Sequence, residues 1–311
     1  MLQTLSHWLF SALLLAAPLA LATPRVVVTL PPLHSLAAGV MAGVAEPELL
    51  LPGGASPHNY SLRPSDMRAL VDADLLMWVG EDLETFLLEP LANSATPHLA
   101  VATLAEIQRL PLREGGLWEV HHHDEDAGHE HGHERDHSDW NPHLWLSPAN
   151  ARVMVAALAG QLAELDTANA ARYRANASAL DARLQALDAR LTGQLAPVRE
   201  VPFLVFHDAY QYFEHHYDLT GAGALTLDPE RQPGAARVQE IRQRLTSQDI
   251  ACVFAEPQFR PALVDRLVAD TGVRAGVLDP LGTELEPGPD AYFQLLENLA
   301  AALVACLATD T

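Results

Sequence analysis

Lysine is absent from the 311 residues, so every basic side chain is an arginine. That excludes Schiff-base chemistry and a phosphate-binding P-loop, both of which need a lysine amine. Positive charge is scarce altogether: 19 basic residues face 40 acidic ones, for a formal charge of −21. A surface of that sign repels nucleic acid and anionic lipid and mildly concentrates cations. Cysteine is limited to Cys252 and Cys306, neither near a histidine cluster, which discounts thiolate metal ligation. Long apolar runs are also missing. Trp8–Leu21 is too short to favour a permanent span, and no later segment approaches the length a membrane helix needs.

What is present at the N-terminus reads as an export signal over residues 1–22, closing in the A-x-A pattern Ala20-Leu21-Ala22. No cysteine sits near the cleavage point, so the expectation is a soluble exported protein without a lipid anchor and without stable membrane insertion. In that compartment an even cysteine count favours a disulfide; the alternative is two buried free thiols.

With 49% hydrophobic residues and 19% charged ones, the mature chain has a globular composition and enough length for one large domain or two lobes. Short apolar, β-branched stretches alternate with helical patterns. Strands are expected at Arg25–Leu30, Pro47–Leu51, Leu75–Val79 and Leu99–Ala102, with helices at Leu33–Ala42, Pro64–Val71 and Asp82–Leu91 between them. Ser147-Pro148 suits an N-cap followed by proline at the first helical position. A long helix then follows over Thr167–Leu195, with Leu180, Leu184, Leu187, Leu191 and Leu195 on one face; it would be about 42 Å long. The alternation resumes with strands at Phe203–Phe206, Cys252–Ala255 and Arg274–Leu278 and a final helix over Pro289–Leu307. The expected fold class is therefore α/β: two lobes with parallel sheets, residues 23–166 and 197–311, joined by a long helix at 167–196.

Histidine is the conspicuous resource. Seven of the fifteen, His121, His122, His123, His129, His131, His133 and His137, lie among carboxylates between Glu119 and Asp139. Dense charge, two glycines and no apolar period make this a flexible loop with accessory, weaker metal affinity. Three others occur singly, each after an expected strand or before a helix. They are His58 in Gly54–Asp66, His143 in Asn141–Pro148 and His207 in Phe206–Tyr210. Asp279 follows the last strand. Ligands in open α/β sheets bind at the carboxyl ends of strands, and three imidazoles with one carboxylate can form a tetrahedral zinc site. Each residue alone is equally a loop or cap residue. The same set with an open position also describes a hydrolytic zinc centre, with Glu256 as its base; no H-E-x-x-H pattern accompanies it.

The motifs G-A-S-P-H-N-Y-S-L-R-P-S-D at Gly54–Asp66, N-P-H-L-W-L-S-P at Asn141–Pro148, F-H-D-A-Y at Phe206–Tyr210, F-A-E-P-Q-F-R-P at Phe254–Pro261 and L-D-P-L-G at Leu278–Gly282 together carry a resemblance. The chain resembles the cluster A-I, or cluster 9, solute-binding proteins of metal-uptake ABC transporters, in particular the ZnuA-type zinc-binding branch, over essentially its whole mature length. The His/acidic insertion is typical of that branch, and manganese-binding relatives usually lack it. The resemblance implies a non-catalytic periplasmic protein, acting as a monomer, that captures Zn²⁺ and delivers it to the permease of a zinc ABC transporter. Manganese or another divalent cation is the alternative cargo, and an adhesin-like role, proposed for some relatives, is a third possibility that the missing lipid-attachment cysteine disfavours. Carried over by position, the metal ligands become His58, His143 and His207, with Asp279 or water fourth. A glutamate that precedes the first histidine in some members is replaced here by Pro57. The family's disulfide corresponds to Cys252–Cys306 and its rigid linking helix to Thr167–Leu195, which implies small loop movements rather than a wide opening of the lobes.

Overall fold

A computed structural model describes residues 23–118, 139–226, 229–231, 233–247, 249–259, 262–269 and 271–308. The expected export signal at 1–22 and all seven histidines between His121 and His137 lie outside the described residues.

The first lobe is built on strands β1 (Val26–Val28), β2 (Glu48–Leu49), β3 (Leu75–Trp78) and β4 (His98–Ala100), all parallel, in the order β2-β1-β3-β4. Helices α1 (Pro31–Met41), α2 (Pro64–Val71) and α3 (Leu88–Ala92) connect them, and α4 (Pro148–Leu165) follows the loop that carries His143. The second lobe repeats the topology: β5 (Phe203–Val205), β6 (Gly221–Ala224), β7 (Cys252–Ala255) and β8 (Arg274–Val277) run parallel in the order β6-β5-β7-β8. β1, β3, β5 and β7 are apolar throughout and buried, as strands covered on both faces must be.

Between the lobes runs α5 (Ala170–Leu195), about 39 Å long at 1.5 Å per residue. It buries Tyr173, Ala177, Leu180, Leu184, Leu187, Leu191 and Leu195, packing against α4, α1 and the C-terminal helix α9 (Ala291–Leu307). One apolar core runs without a break from β1 and α1 through α5 to β5 and α9. A second, smaller cluster around Leu204, Ile241 and Val264 belongs to the second lobe, with Leu117 packed into it from the segment that follows β4. Polar contacts tie the lobes further. Tyr292 N donates to Ser35 Oγ at 2.9 Å and Trp145 Nε1 to the Pro280 carbonyl at 2.8 Å. Opening the cleft as a hinge would expose this shared core at the cost of its hydrophobic burial.

Three elements depart from sequence expectation. The helix expected at Asp82–Leu91 is a 3₁₀ turn at Thr85–Leu87 followed by α3. Its first residues are pulled away because the buried Glu84 carboxylate accepts hydrogen bonds from Thr29 Oγ1, Val79 N and Gly80 N. The long helix begins at Ala170, not Thr167. Asp166 accepts from Asn169 N, Asn169 Nδ2 and Tyr173 Oη, holding the chain in a turn before the helix starts. Edge strand β6 reads Gly-Ala-Gly-Ala, without the β-branched or aromatic residues that signal a strand. A Cβ on Gly223, whose φ is 153°, would lie 2.2 Å from Leu117 Cβ, so only glycine lets the two segments meet.

Cys252 and Cys306 form a disulfide that joins β7 to α9 across 54 residues. Replacing both with alanine is expected to cost about 2–4 kcal/mol of unfolding free energy, the range for closing a loop of this order. Denaturant titration of the oxidised wild type against the double variant measures it.

Candidate metal centre

Three loops at the carboxyl ends of strands converge between the lobes. The first leaves β2 and reaches His58. It is held by Asp66, whose carboxylate accepts from Tyr60 Oη at 2.9 Å, Arg63 N at 2.7 Å and Ser65 Oγ at 3.2 Å. Close approach to the second lobe is built in at Gly53, where a Cβ would sit 2.9 Å from the Thr283 carbonyl oxygen. The second loop, Asn141–Ser147, is locked by Trp145, which is fully buried, and by Ser147, whose Oγ accepts from Asn150 N at 3.2 Å as the cap of α4. The third leaves β5 and places His207 immediately beyond the strand.

These loops bring His58, His143 and His207 together. One ligand atom from each lies within 4.8 Å of the others, the one such group of histidine, cysteine and carboxylate side chains among the described residues. His143 and His207 are buried, and the ring centroids of the three are 5.1–5.6 Å apart. The orientation of two rings is fixed from behind. Asn141 Oδ1 accepts from His143 N at 3.0 Å and from His143 Nδ1 at 2.8 Å. Glu256 Oε1 accepts from His207 Nδ1 at 2.7 Å. With the proton on Nδ1 in both rings, the two Nε2 atoms face each other as bare lone pairs, 3.2 Å apart. Ligand nitrogens of a tetrahedral ion bound at about 2.0–2.1 Å lie about 3.3 Å apart, so the spacing suits a zinc-sized cation.

Burial and the neighbouring imidazoles disfavour the protonated form of His58 and His143. Desolvation, then the charge of His207, pushes His58 down to about 3. Desolvation followed by the two other histidines holds His143 well below the ordinary imidazole range. Neutral imidazole is the metal-binding form. The cavity the rings share measures about 10 Å³, room for about one water-sized body, and Pro57, Trp145, Phe259, Pro280 and Leu281 give it apolar walls. A groove of about 1050 Å³ on the first lobe, between α2 and α3, is far larger but contains no histidine.

Asp279 is not brought into the group. Its Oδ1 accepts from Gln258 Nε2 at 2.8 Å and Leu281 N at 3.0 Å, and its Oδ2 from Thr283 N at 2.6 Å and Thr283 Oγ1 at 2.8 Å. Both oxygens are engaged by the turn after β8. Glu256, considered as a base in a hydrolytic site, instead orients His207. Asn141 had no role assigned from sequence. Its signal was the Asn-Pro-His spacing, since an asparagine side chain readily bonds the backbone two residues on. Asn141 also donates through Nδ2 to the Asp208 carbonyl at 2.6 Å, coupling the second loop to the third. Asp208 and Glu214 both pair with the largely buried Arg113, whose guanidinium stacks 3.4 Å from the Trp118 ring centroid.

Comparison with known proteins agrees with this geometry. Residues 26–306 match the family model "Zinc-uptake complex component A periplasmic", ZnuA. A high-affinity zinc uptake system protein ZnuA from Brucella abortus is 41% identical over 304 residues, covering 91% of each chain. Its namesake from Yersinia pestis is 41% identical over 311 residues, covering 96% of each. A crystal structure of a ZnuA deletion mutant with zinc bound superimposes with a TM-score of 0.74 at 25% identity, over 93% of this chain and all of that one.

Two outcomes follow from the ring geometry. Glu256→Ala leaves His207 Nδ1 and its backbone N–H without their acceptor; metal affinity is expected to drop about 10–100-fold, read by competition with a chromophoric chelator. Separately, His58 and His143 have folded-state pKa values below the unfolded 6.5. The unfolded chain therefore binds more protons below pH 6.5, and stability that is fully present above that pH is lost as pH falls toward about 3. The thermal midpoint of the metal-free protein should decline across this window, and His58→Gln should flatten the decline.

Proposed function

The chain belongs to the ZnuA family of periplasmic zinc-uptake components, and from that premise we propose that His58, His143 and His207 together hold one Zn²⁺ ion between the lobes. The protein is the solute-binding component of a high-affinity zinc-uptake ABC system, and not an enzyme. No helix among the described residues is long and apolar enough to cross a membrane, in keeping with a periplasmic family. The observation that carries the ligand assignment is the pair of Nε2 atoms 3.2 Å apart, each ring bonded from behind through Nδ1, with a third imidazole beside them. Two facing lone pairs with no proton between them repel, and a cation relieves that repulsion.

Three neutral imidazoles favour Zn²⁺ over Mn²⁺, which prefers more oxygen ligands. Intrinsic affinity for Cu²⁺ and Ni²⁺ is at least as high, so supply in the periplasm completes the selection. The loaded protein delivers its ion to the membrane permease of the same transporter and acts as a monomer; all three histidines come from one chain. The His-rich segment 119–139 adds weaker binding that is separate from this centre.

Calorimetric zinc titration of wild type is expected to show one tight site followed by weaker events. His143→Ala should lose the tight event, by about two orders of magnitude or more in affinity for loss of one of three directly bound nitrogens, and retain the weaker ones. Tight one-site binding that survives in His143→Ala would overturn the ligand assignment.

A further inference from the structure

Asp279 lies beside the metal centre without facing it. Its neighbours Pro280 and Leu281 line the cavity that the three imidazoles share. Leu278 accepts the Tyr210 hydroxyl at 3.0 Å, which fixes the backbone there. Three of the four hydrogen bonds to the carboxylate come from its own turn, from Leu281 N, Thr283 N and Thr283 Oγ1. The fourth is different. Gln258 Nε2 reaches it from the loop after β7, at 2.8 Å, and Gln258 itself lines the cavity. A carboxylate only accepts, so this contact settles which end of the amide is nitrogen. The other end, Gln258 Oε1, is buried and has no donor among the described residues.

We propose that Gln258 determines the metal preference of this centre: its Nε2 holds Asp279 off the ion, and its Oε1 accepts a hydrogen from the water that takes the vacated coordination position. The proposal rests on His58, His143 and His207 being the ligands. Its chemical basis is the donor set. Three imidazoles and a water form an uncharged, nitrogen-rich set that suits Zn²⁺. Adding a carboxylate brings a hard anionic oxygen, which improves the site for Mn²⁺ relative to Zn²⁺. Gln258 thus acts as a positioning residue, through Asp279 and through the bound water, without touching the metal. Gln258 lines the cavity beside the rings, and a buried acceptor without a donor among the described residues, such as Gln258 Oε1, is the kind of group that a bound water satisfies.

The test compares Zn²⁺ and Mn²⁺ affinities of the full mature protein by competition calorimetry, with X-ray absorption on the zinc-loaded forms to count imidazole and carboxylate ligands. Gln258→Leu keeps the side-chain volume and removes both amide functions. It is expected to shift the Mn²⁺-to-Zn²⁺ affinity ratio toward Mn²⁺ by about 10-fold or more and to add a carboxylate to the zinc spectrum. Gln258→Leu with Asp279→Asn should return the ratio to the wild-type value. Thr283→Val, which removes a different donor from the same carboxylate, is a second route to the same shift. Asp279→Asn alone should leave zinc affinity within about 3-fold of wild type, as expected for a residue that is not a ligand. An unchanged ratio in both folded single variants, or an Asp279→Asn loss as large as that of His143→Ala, overturns the proposal. Retained tight zinc binding in His143→Ala is a separate result; it rejects the three-histidine centre itself.

Discussion

Two hydrogen bonds, from His143 Nδ1 to Asn141 and from His207 Nδ1 to Glu256, decide what the centre can do. An imidazole offers one lone pair and one proton, and whichever nitrogen is bonded from behind leaves the other for the metal. By drawing the proton to Nδ1 in both rings, Asn141 and Glu256 turn two bare Nε2 atoms toward each other. The surroundings reinforce the choice. Trp145, Phe259 and Pro57 wall the cavity with apolar surface, and desolvation makes a charged ring costly. His58 and His143 are thereby held toward the neutral form, the one that binds a cation.

Preparation of this kind needs a rigid frame, since an error of half an ångström in a ring position spoils coordination. The frame is the continuous core. α5 lies along both lobes, α9 of the second lobe packs on α1 of the first, and the Trp145 indole and Tyr292 hydroxyl each bond across the junction. The repeated sheet order puts equivalent strand ends opposite one another. In each lobe a buried carboxylate joins the segments after the first and third strands. Glu84 accepts from Thr29 and from Val79 and Gly80, and Glu256, just beyond β7, accepts from His207, just beyond β5. In the first lobe the carboxylate ties backbone and a threonine together; in the second it orients the imidazole of His207.

Much of this was legible in the residues. Short apolar runs such as Val26–Val28 and Phe203–Val205, alternating with helical patterns, read as buried parallel strands, and the leucine spacing on α5 marks its packed face. His58, His143 and His207 were candidates by their placement after a strand or before a capped helix, and the family resemblance singled them out. The weaker elements lacked a local signal. β6 is made of glycine and alanine, and its strand character comes from pairing with β5 and from contact with Leu117. The turn at Asp166 that delays α5 depends on side-chain hydrogen bonds that compete with the helix.

The residues by themselves determined the fold class, while the zinc cargo and the choice of His58, His143 and His207 followed from the motifs' resemblance to a known family. Hydrophobic periodicity and ligand type are properties of the chain that survive without knowing where anything sits. What the tertiary structure alone decided was the use made of carboxylates and amides. Asp279 and Glu256 are both acidic residues just beyond strands of one sheet, and nothing in their local sequence separates a ligand from a support. Asp279 is spent on Thr283, Leu281 and Gln258, while Glu256 is spent on His207. An acceptor's role depends on which donors are nearest, and that is settled by how distant loops pack.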